Sequence, residues 1–560
     1  MAAGRKNSSL SPGLRLALVL ALNAAAVFVL WRVWPRDSDA QAADRGAANQ
    51  DEVPEWQRAL RSAANGAAQL VDDGPQVDAP AGLSREQLSQ LERGLRATIE
   101  KHVEEARKLT GGKVHQGNTA VALHVREVGA GSASDIALGS ERLMRPASNL
   151  KLVTTAAALA LLGPDWQFRT RFDATGPIEA GVLRGDLVVR AGGDPLYDPT
   201  SNGDVEHLLA PVISELAGLG ITVIAGDIVL DEGEFQRPAP APQWPEAGQH
   251  WAEYCALAGG FSANRGCLTA IVSPSGVGTP ARVEVFPREH GLPLNVGVRT
   301  EAKGGVDVQC GARPTGVIVR GSIARGSAPF VASFSHPDPV ELFGYAFSGA
   351  LARRGIVVQG RFRRERNVRA ASTLAELRTP LENVLGPINA DSTNAVADQL
   401  FLATAQAVIG QGTRAAGAQA TRLALERLGV PREGFEQVDG SGLSRANRIT
   451  AQQVVALIEK VLTQDRRSAR LYLDSLAVAG ERGTLDDRMG KTVARGRVRA
   501  KTGFIDGTSA LSGVAEALDG RRFVFSILVN YPDSGGLNKS VWKPMQDELC
   551  VRLVEVGKSK

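Results

Sequence analysis

Apolar and polar positions follow several different periods along this chain, and the changes of period divide it. An apolar run from Leu16 to Trp31, broken only by Asn23, follows Arg5, Lys6 and Arg15. It is long for a secretory leader and slightly short for a span of about 20 residues. Ala40-Gln41-Ala42 offers a small-residue cleavage site, but far from the run, so the segment is read as an uncleaved signal anchor. Its basic flank stays in the cytoplasm and the body is exported. From Pro35 to Pro80 no apolar period survives, which predicts a flexible spacer. Leu88, Leu91, Leu95, Ile99 and Val103 then recur at spacings of three and four, an amphipathic helix over 83–109 with Ser84 and Gln87 as a capping box.

Next comes strict alternation in TAVALHVREV, a Gly-rich turn, and DIALGSE: a β-hairpin. The alanine-rich helical run RPASNLKLVTTAAALALLG follows directly. From about Gly176 to Ala370 the pattern breaks into short β-like runs punctuated by Gly and Pro, with a helix over 340–353. After Pro380 helical periods return, one of them opening on Thr450 as a natural N-cap. The last pattern is three strand-like runs around VRAKTGFIDGTSALSGV and FVFSILVN, an antiparallel meander. Strands from both ends of the exported part can thus share one sheet covered by helices, with the middle inserted.

Composition narrows the classes. Of 560 residues, 43% are hydrophobic and 22% charged, which is globular usage. A formal net charge of +4 with no basic stripe gives no reason to expect nucleic acid. Seven scattered histidines and four cysteines form no zinc pattern. Export makes a disulfide possible, and Cys255 and Cys267, close in sequence, are the expected pair. Cys310 and Cys550 are read as buried thiols.

Three short motifs carry candidate chemistry. Ser148 and Lys151 lie three apart at the start of a helix, on one face. A serine nucleophile needs a base, and a neutral lysine can serve. Free lysine titrates near about 10.4, so the base must be lowered by roughly 3 units through burial or a second cation nearby. Alone the pattern is weak, since Ser540 and Lys543 repeat it. Ser392-Thr393-Asn394 opens an apolar helix and alone reads as a cap. Lys501-Thr502-Gly503 ends a strand, where a cation, a hydroxyl and a glycine can receive an extended substrate. It occurs once, and Lys501 supplies the second cation.

In this order and on these element types, the three motifs form the set found in penicillin-recognising serine enzymes. With DGSGLSRANRIT, ERGTLDDRM and GDLVVRAGGDP, the chain from about Thr119 to Tyr531 resembles the penicillin-binding protein 4-like D-alanyl-D-alanine carboxypeptidase/endopeptidase family, low-molecular-mass class C. The resemblance implies an α/β (α+β) transpeptidase/β-lactamase-like domain, with a five-stranded antiparallel sheet flanked by helices and split by a large β-rich insertion. The expected division is a cytoplasmic tail and anchor over 1–36 and a spacer with the amphipathic helix over 37–112. The catalytic domain is built from 113–175 and 373–560, and the insertion of two subdomains spans 176–372.

By the same resemblance Ser148 is the acylated nucleophile and Lys151 its base. Ser392 relays a proton to the leaving amine, and Asn394 binds the substrate backbone. Lys501 and Thr502, with Gly503 allowing close approach, hold the terminal carboxylate, and Lys501 helps keep Lys151 neutral. The backbone N–H groups of Ser148 and Phe504 form the oxyanion hole. No metal or other cofactor is implied. The implied partners are peptidoglycan stem peptides ending in D-Ala-D-Ala, β-lactam antibiotics as inhibitors, and the membrane through the anchor. The implied location is periplasmic. The chain departs from the family at Phe504, where a small hydroxyl residue is common. That departure motivates an alternative reading, a catalytically slow peptidoglycan-binding protein. A β-lactamase-like hydrolase is a further alternative, but no acidic deacylation motif is evident.

Overall fold

The computed structural model describes residues 82–557. The expected anchor and the spacer from Pro35 to Pro80 lie outside the described residues. Among the described residues no helix is long and apolar enough to cross a membrane.

Helix α1 (Arg85–Leu109) starts where the capping pattern places it: Ser84 and Gln87 exchange both bonds of a capping box. Strands β1 (Ala120–Glu127) and β2 (Ile136–Leu138) form the expected hairpin. A short 3-10 turn, Ala147–Asn149, leads into α2 (Leu150–Leu162). Far along the chain come α3 (Asn394–Ile409), α4 (Arg414–Leu428) and α5 (Ala451–Leu462), the last opened by a Thr450–Gln453 capping box. Strands β3 (Ala477–Val478), β4 (Val498–Ile505), β5 (Thr508–Glu516) and β6 (Arg522–Asn530) follow, and α6 (Lys543–Val554) closes the described chain.

The central sheet runs β3-β4-β5-β6-β1-β2 with every pair antiparallel. It has six strands rather than five, because the two-residue β3 adds an edge. β6 is buried along nearly its whole length, and its side chains alternate between two cores. Val524 and Leu528 face the core containing α2 to α5, while Phe523, Phe525, Ile527 and Val529 face the one containing α1 and α6. A strand that must satisfy helices on both faces loses its polar alternation, which is why β6 reads as a continuous apolar run.

Between α2 and α3 the chain builds four further sheets around a core of their own. The segment departs through strand Gln167–Ala174 and returns through Ser372–Pro380, and these two strands pair antiparallel. The exit and re-entry are therefore neighbours, and α2 and α3 still pack together. The helix read over 340–353 is present as Pro339–Arg353, capped by Asp338.

One expectation is corrected. Cys255 and Cys267 are free, buried thiols, not a disulfide. Cys255 ends a 3-10 turn while Cys267 opens a strand and packs on Ala256 and Ala395. Burial pushes both thiols up to about 12, so they behave as small apolar residues. Four titratable thiols are expected under denaturing, non-reducing conditions; a count of two would restore the bridge. Cys550 is buried as expected, whereas Cys310 is only partly so.

Candidate active site

Helix α2 is apolar nearly all round and lies deep between the sheet and its neighbouring helices. Lys151 sits in its first turn and is 0% exposed. Its amine makes three contacts: Ser148 Oγ at 3.0 Å, Asn394 Oδ1 at 2.6 Å and the Ser441 carbonyl at 2.8 Å. Ser148 itself lies in the 3-10 turn, after Ala147 with φ of 47°, so its hydroxyl is half-exposed while the lysine beneath it is dry.

The second motif meets the first through Asn394, whose amide spans two elements. Its oxygen accepts from Lys151, and its Nδ2 donates to the Tyr254 carbonyl at 2.9 Å, in the Glu253–Cys255 turn of the middle region. Ser392, at φ of 64°, turns its hydroxyl to the third motif, where Lys501 Nζ donates to it at 2.8 Å. Lys501, Thr502 and Gly503 lie within β4, which continues to Ile505 rather than ending at the motif. β3 pairs only with Arg499 and Ala500. From Lys501 onward β4 therefore presents an edge without a ladder partner among the described residues. Asn149 Nδ2 binds the Lys501 carbonyl at 2.8 Å, and Thr502 Oγ1 donates to Thr484 Oγ1 at 2.9 Å. A Cβ on Gly503 would stand 3.0 Å from the Pro146 carbonyl, so glycine lets β4 press against the turn before Ser148.

Ser148, Asn394 and Phe504 line one cavity of about 620 Å³. Its far wall comes from Trp244, Glu246, Gln249 and Tyr254 of the middle region, with Arg445 and Asp506 beside Phe504. Phe504 is 51% exposed and faces the opening. Ser148, Asn394 and the residue that follows Lys501-Thr502-Gly503 thus meet at one groove, while Lys501 itself is buried and bonded to Ser392.

Burial holds the Lys151 amine down to about 8, against the pull of Asp398 and Asp439, which favour its charged form. Lys501 lies well below the usual lysine range, mainly through burial and then through repulsion from Lys151, opposed by Asp391. Desolvation is the main cause at Lys151, and Lys501, the expected second cation, stands close enough for the two amines to repel each other. Among the described residues no group of His, Cys, Asp and Glu could hold a metal ion.

The motif reading missed several participants. The Ser441 carbonyl comes from DGSGLSRANRIT and Thr484 from ERGTLDDRM, stretches noticed for their resemblance but given no role. Asp398 is a lone acid within the apolar run AVADQLFLA, and that isolation was the available signal. The Tyr254 carbonyl could not be found, because backbone atoms leave no mark in a sequence.

The model of the D-Ala-D-Ala carboxypeptidase 3 (S13) family matches residues 99–552. A D-alanyl-D-alanine carboxypeptidase of Actinomadura sp. (strain R39) is 35% identical over 439 residues, 74% of this chain and 78% of that one. The D-alanyl-D-alanine carboxypeptidase DacB of Haemophilus influenzae is 27% identical over 412 residues, 70% of this chain and 82% of its own. The crystal structure of penicillin binding protein 4 from Haemophilus influenzae shares the fold, with TM-score 0.65 and 22% identity, covering 83% of this chain and 98% of that one.

Proposed function

The chain belongs to the S13 family of D-Ala-D-Ala carboxypeptidases, and from that premise we propose that it removes the terminal D-alanine of peptidoglycan stem peptides through an acyl-enzyme on Ser148. It is a serine-type carboxypeptidase. The observation that carries the mechanism is the dry Lys151 amine 3.0 Å from Ser148 Oγ.

In this reading neutral Lys151 takes the Ser148 proton as Oγ attacks the carbonyl carbon of the penultimate D-alanine. The resulting oxyanion is met by the backbone N–H groups of Ser148 and Phe504. Ser392 passes a proton to the departing D-alanine amine, and water then hydrolyses the ester. Asn394 orients the peptide backbone. Lys501 and Thr502 receive the terminal carboxylate, whose arrival favours the charged form of Lys501 again. The unpaired edge of β4 can take the substrate as an added strand. A cross-link between stems presents the same D-alanyl bond, so D,D-endopeptidase action is part of the proposal. A β-lactam offers a strained amide to the same oxygen and acylates it.

Residues 113–175 and 373–560 then act as the catalytic domain, with 176–372 as an insertion that walls the cleft. The apolar run at Leu16–Trp31 supports a periplasmic chain held at the membrane by its N-terminal segment.

The test is release of D-alanine from a pentapeptide and labelling by a fluorescent penicillin, with Ser148→Ala as control. Wild type releases D-alanine, takes the label and turns penicillin over slowly; Ser148→Ala does neither. An unlabelled wild type ends the acyl-enzyme reading, and fast penicillin turnover without D-alanine release would make the protein a β-lactamase. The pH profile carries a sign. Only the neutral amine works, so acylation falls about tenfold per unit as pH drops below the Lys151 value of about 8. A flat profile from pH 6 to 8 would remove Lys151 as the base.

A further inference from the structure

We infer that Asp398 is a positioning residue for the acylation step: its carboxylate holds the Gly440–Ser441 turn, and the carbonyl of that turn aims the Lys151 amine at Ser148. The inference rests on the Ser148–Lys151 reading above.

A neutral amine has two N–H groups and one lone pair. Two of the three partners of Lys151, Asn394 Oδ1 and the Ser441 carbonyl, can only accept. The Asn394 orientation is set by its Nδ2 donating to the Tyr254 carbonyl. Those two acceptors take both N–H groups, and the lone pair is left facing Ser148 Oγ. Removing either acceptor frees the amine to rotate, and the hydroxyl then loses its base. One acceptor belongs to the Ser-x-Asn motif; the other is a bare carbonyl in a loop.

That loop is fastened from below. Asp398 Oδ1, on the buried face of α3, accepts from the N–H groups of Gly440 at 2.7 Å and Ser441 at 2.9 Å. Asp398 is 4% exposed. Its other oxygen is buried with no hydrogen-bond partner, an expensive arrangement for a purely structural turn. The neighbouring Asp439 serves the other half of the loop, binding the N–H groups of Gly442 and Ser444 and the Trp244 indole. Thr154 Oγ1 on α2 donates to the Gly440 carbonyl at 2.7 Å, so the Gly440–Ser441 peptide is held through its carbonyl by α2 and through its N–H by Asp398.

The charged and titratable groups around Asp398 are Lys151 on α2, Asp439 in the loop, Arg414 opening α4, and Cys255 in the middle region's turn. Burial and Asp439 push Asp398 up, while Arg414 and Lys151 favour its charged form. A charged Asp398 in turn favours protonated Lys151. The carboxylate therefore aims the base and also holds its acid limb higher than burial alone would.

Two substitutions separate these effects. Asp398→Ala removes the acceptor; Asp398→Asn keeps an oxygen for both N–H groups and removes the charge. Acylation by fluorescent penicillin is followed from pH 5.5 to 9 (roughly the range over which a lowered lysine titrates), beside thermal melting and the Ser148→Ala control. Asp398→Ala is expected to acylate at least about tenfold slower than wild type at every pH. Asp398→Asn recovers most of that loss and moves the acid limb down by about half a unit or more. A purely structural role would leave the limb where it is. The inference is overturned if Asp398→Ala acylates like wild type, or if the limb of Asp398→Asn coincides with that of wild type. Should Asp398→Ala not fold, the limb of Asp398→Asn decides alone. An unlabelled wild type would instead sink the Ser148–Lys151 reading itself.

Discussion

Lys151→Met loses acylation of Ser148 by about 10³-fold or more, while the protein still melts cooperatively. The loss follows from the contacts of the amine: among the described residues the hydrogen-bonding neighbour of Ser148 Oγ is Lys151 Nζ, and no other base lies against it. Methionine keeps the volume and flexibility of the stem, so α2 keeps its packing against α3 and α4. Two carbonyl oxygens, on Asn394 and Ser441, lose a donor, a cost of about 1–3 kcal/mol each. Against that, the fold no longer carries a buried amine that its surroundings push away from its charged form. Stability shifts modestly while the chemistry disappears. Label uptake by Lys151→Met at the wild-type rate would show that another group takes the proton.

Gly442→Ala is expected to be the most damaging single methyl group near the site. Gly442 has φ of +83°, and a Cβ there would sit 1.9 Å from the carbonyl oxygen of Ala147, a backbone atom that cannot rotate away. The left-handed conformation costs an added side chain about 1–2 kcal/mol, and the overlap forces the two segments apart. Total destabilisation on the order of 3 kcal/mol or more is expected in thermal or urea unfolding. Because Ala147 precedes Ser148 and Gly442 follows Ser441, the methyl drives apart the nucleophile's turn and the loop carrying the lysine's acceptor. A displacement of about 1 Å is enough to cost about 10²-fold in acylation. A Gly442→Ala protein with native melting and native labelling would mean that the close approach of these segments does not exist in solution.

Legibility from the sequence followed the range of the physical signal. Helix α1 and helix α5 announced their starts through local capping residues, and the capping boxes at Ser84 and Thr450 are present. The hairpin of β1 and β2 was visible as alternation, because Leu123 and Val125 of β1 enter the core with α1 and α6 while the opposite face carries the small Ala122 and the polar His124 and Arg126. β6 was visible as a strand only from its turns and β-branched content, since it is buried on both faces. The short edge strand β3 was missed: two residues carry no period. The disulfide was a wrong inference from sequence proximity. Nearness in the chain says nothing of direction, and the two thiols lie on elements that bury them as separate apolar groups. Burial was expected to lower Lys151, but its source was not legible, since the groups that close over the amine are Asn394 of α3 and the Gly440–Ser441 loop.

Three catalytic-type motifs, their order, and the element each starts or occupies were written in the sequence, because each depends on residues within a few positions of one another. What the tertiary structure alone decided is which oxygen atoms meet the Lys151 amine, since two of its three partners lie about 240 and 290 positions away in the chain, and one of those is main-chain. Side-chain identity is local information; the direction in which a buried nitrogen points its lone pair is set by dry, close-packed neighbours that only folding brings together.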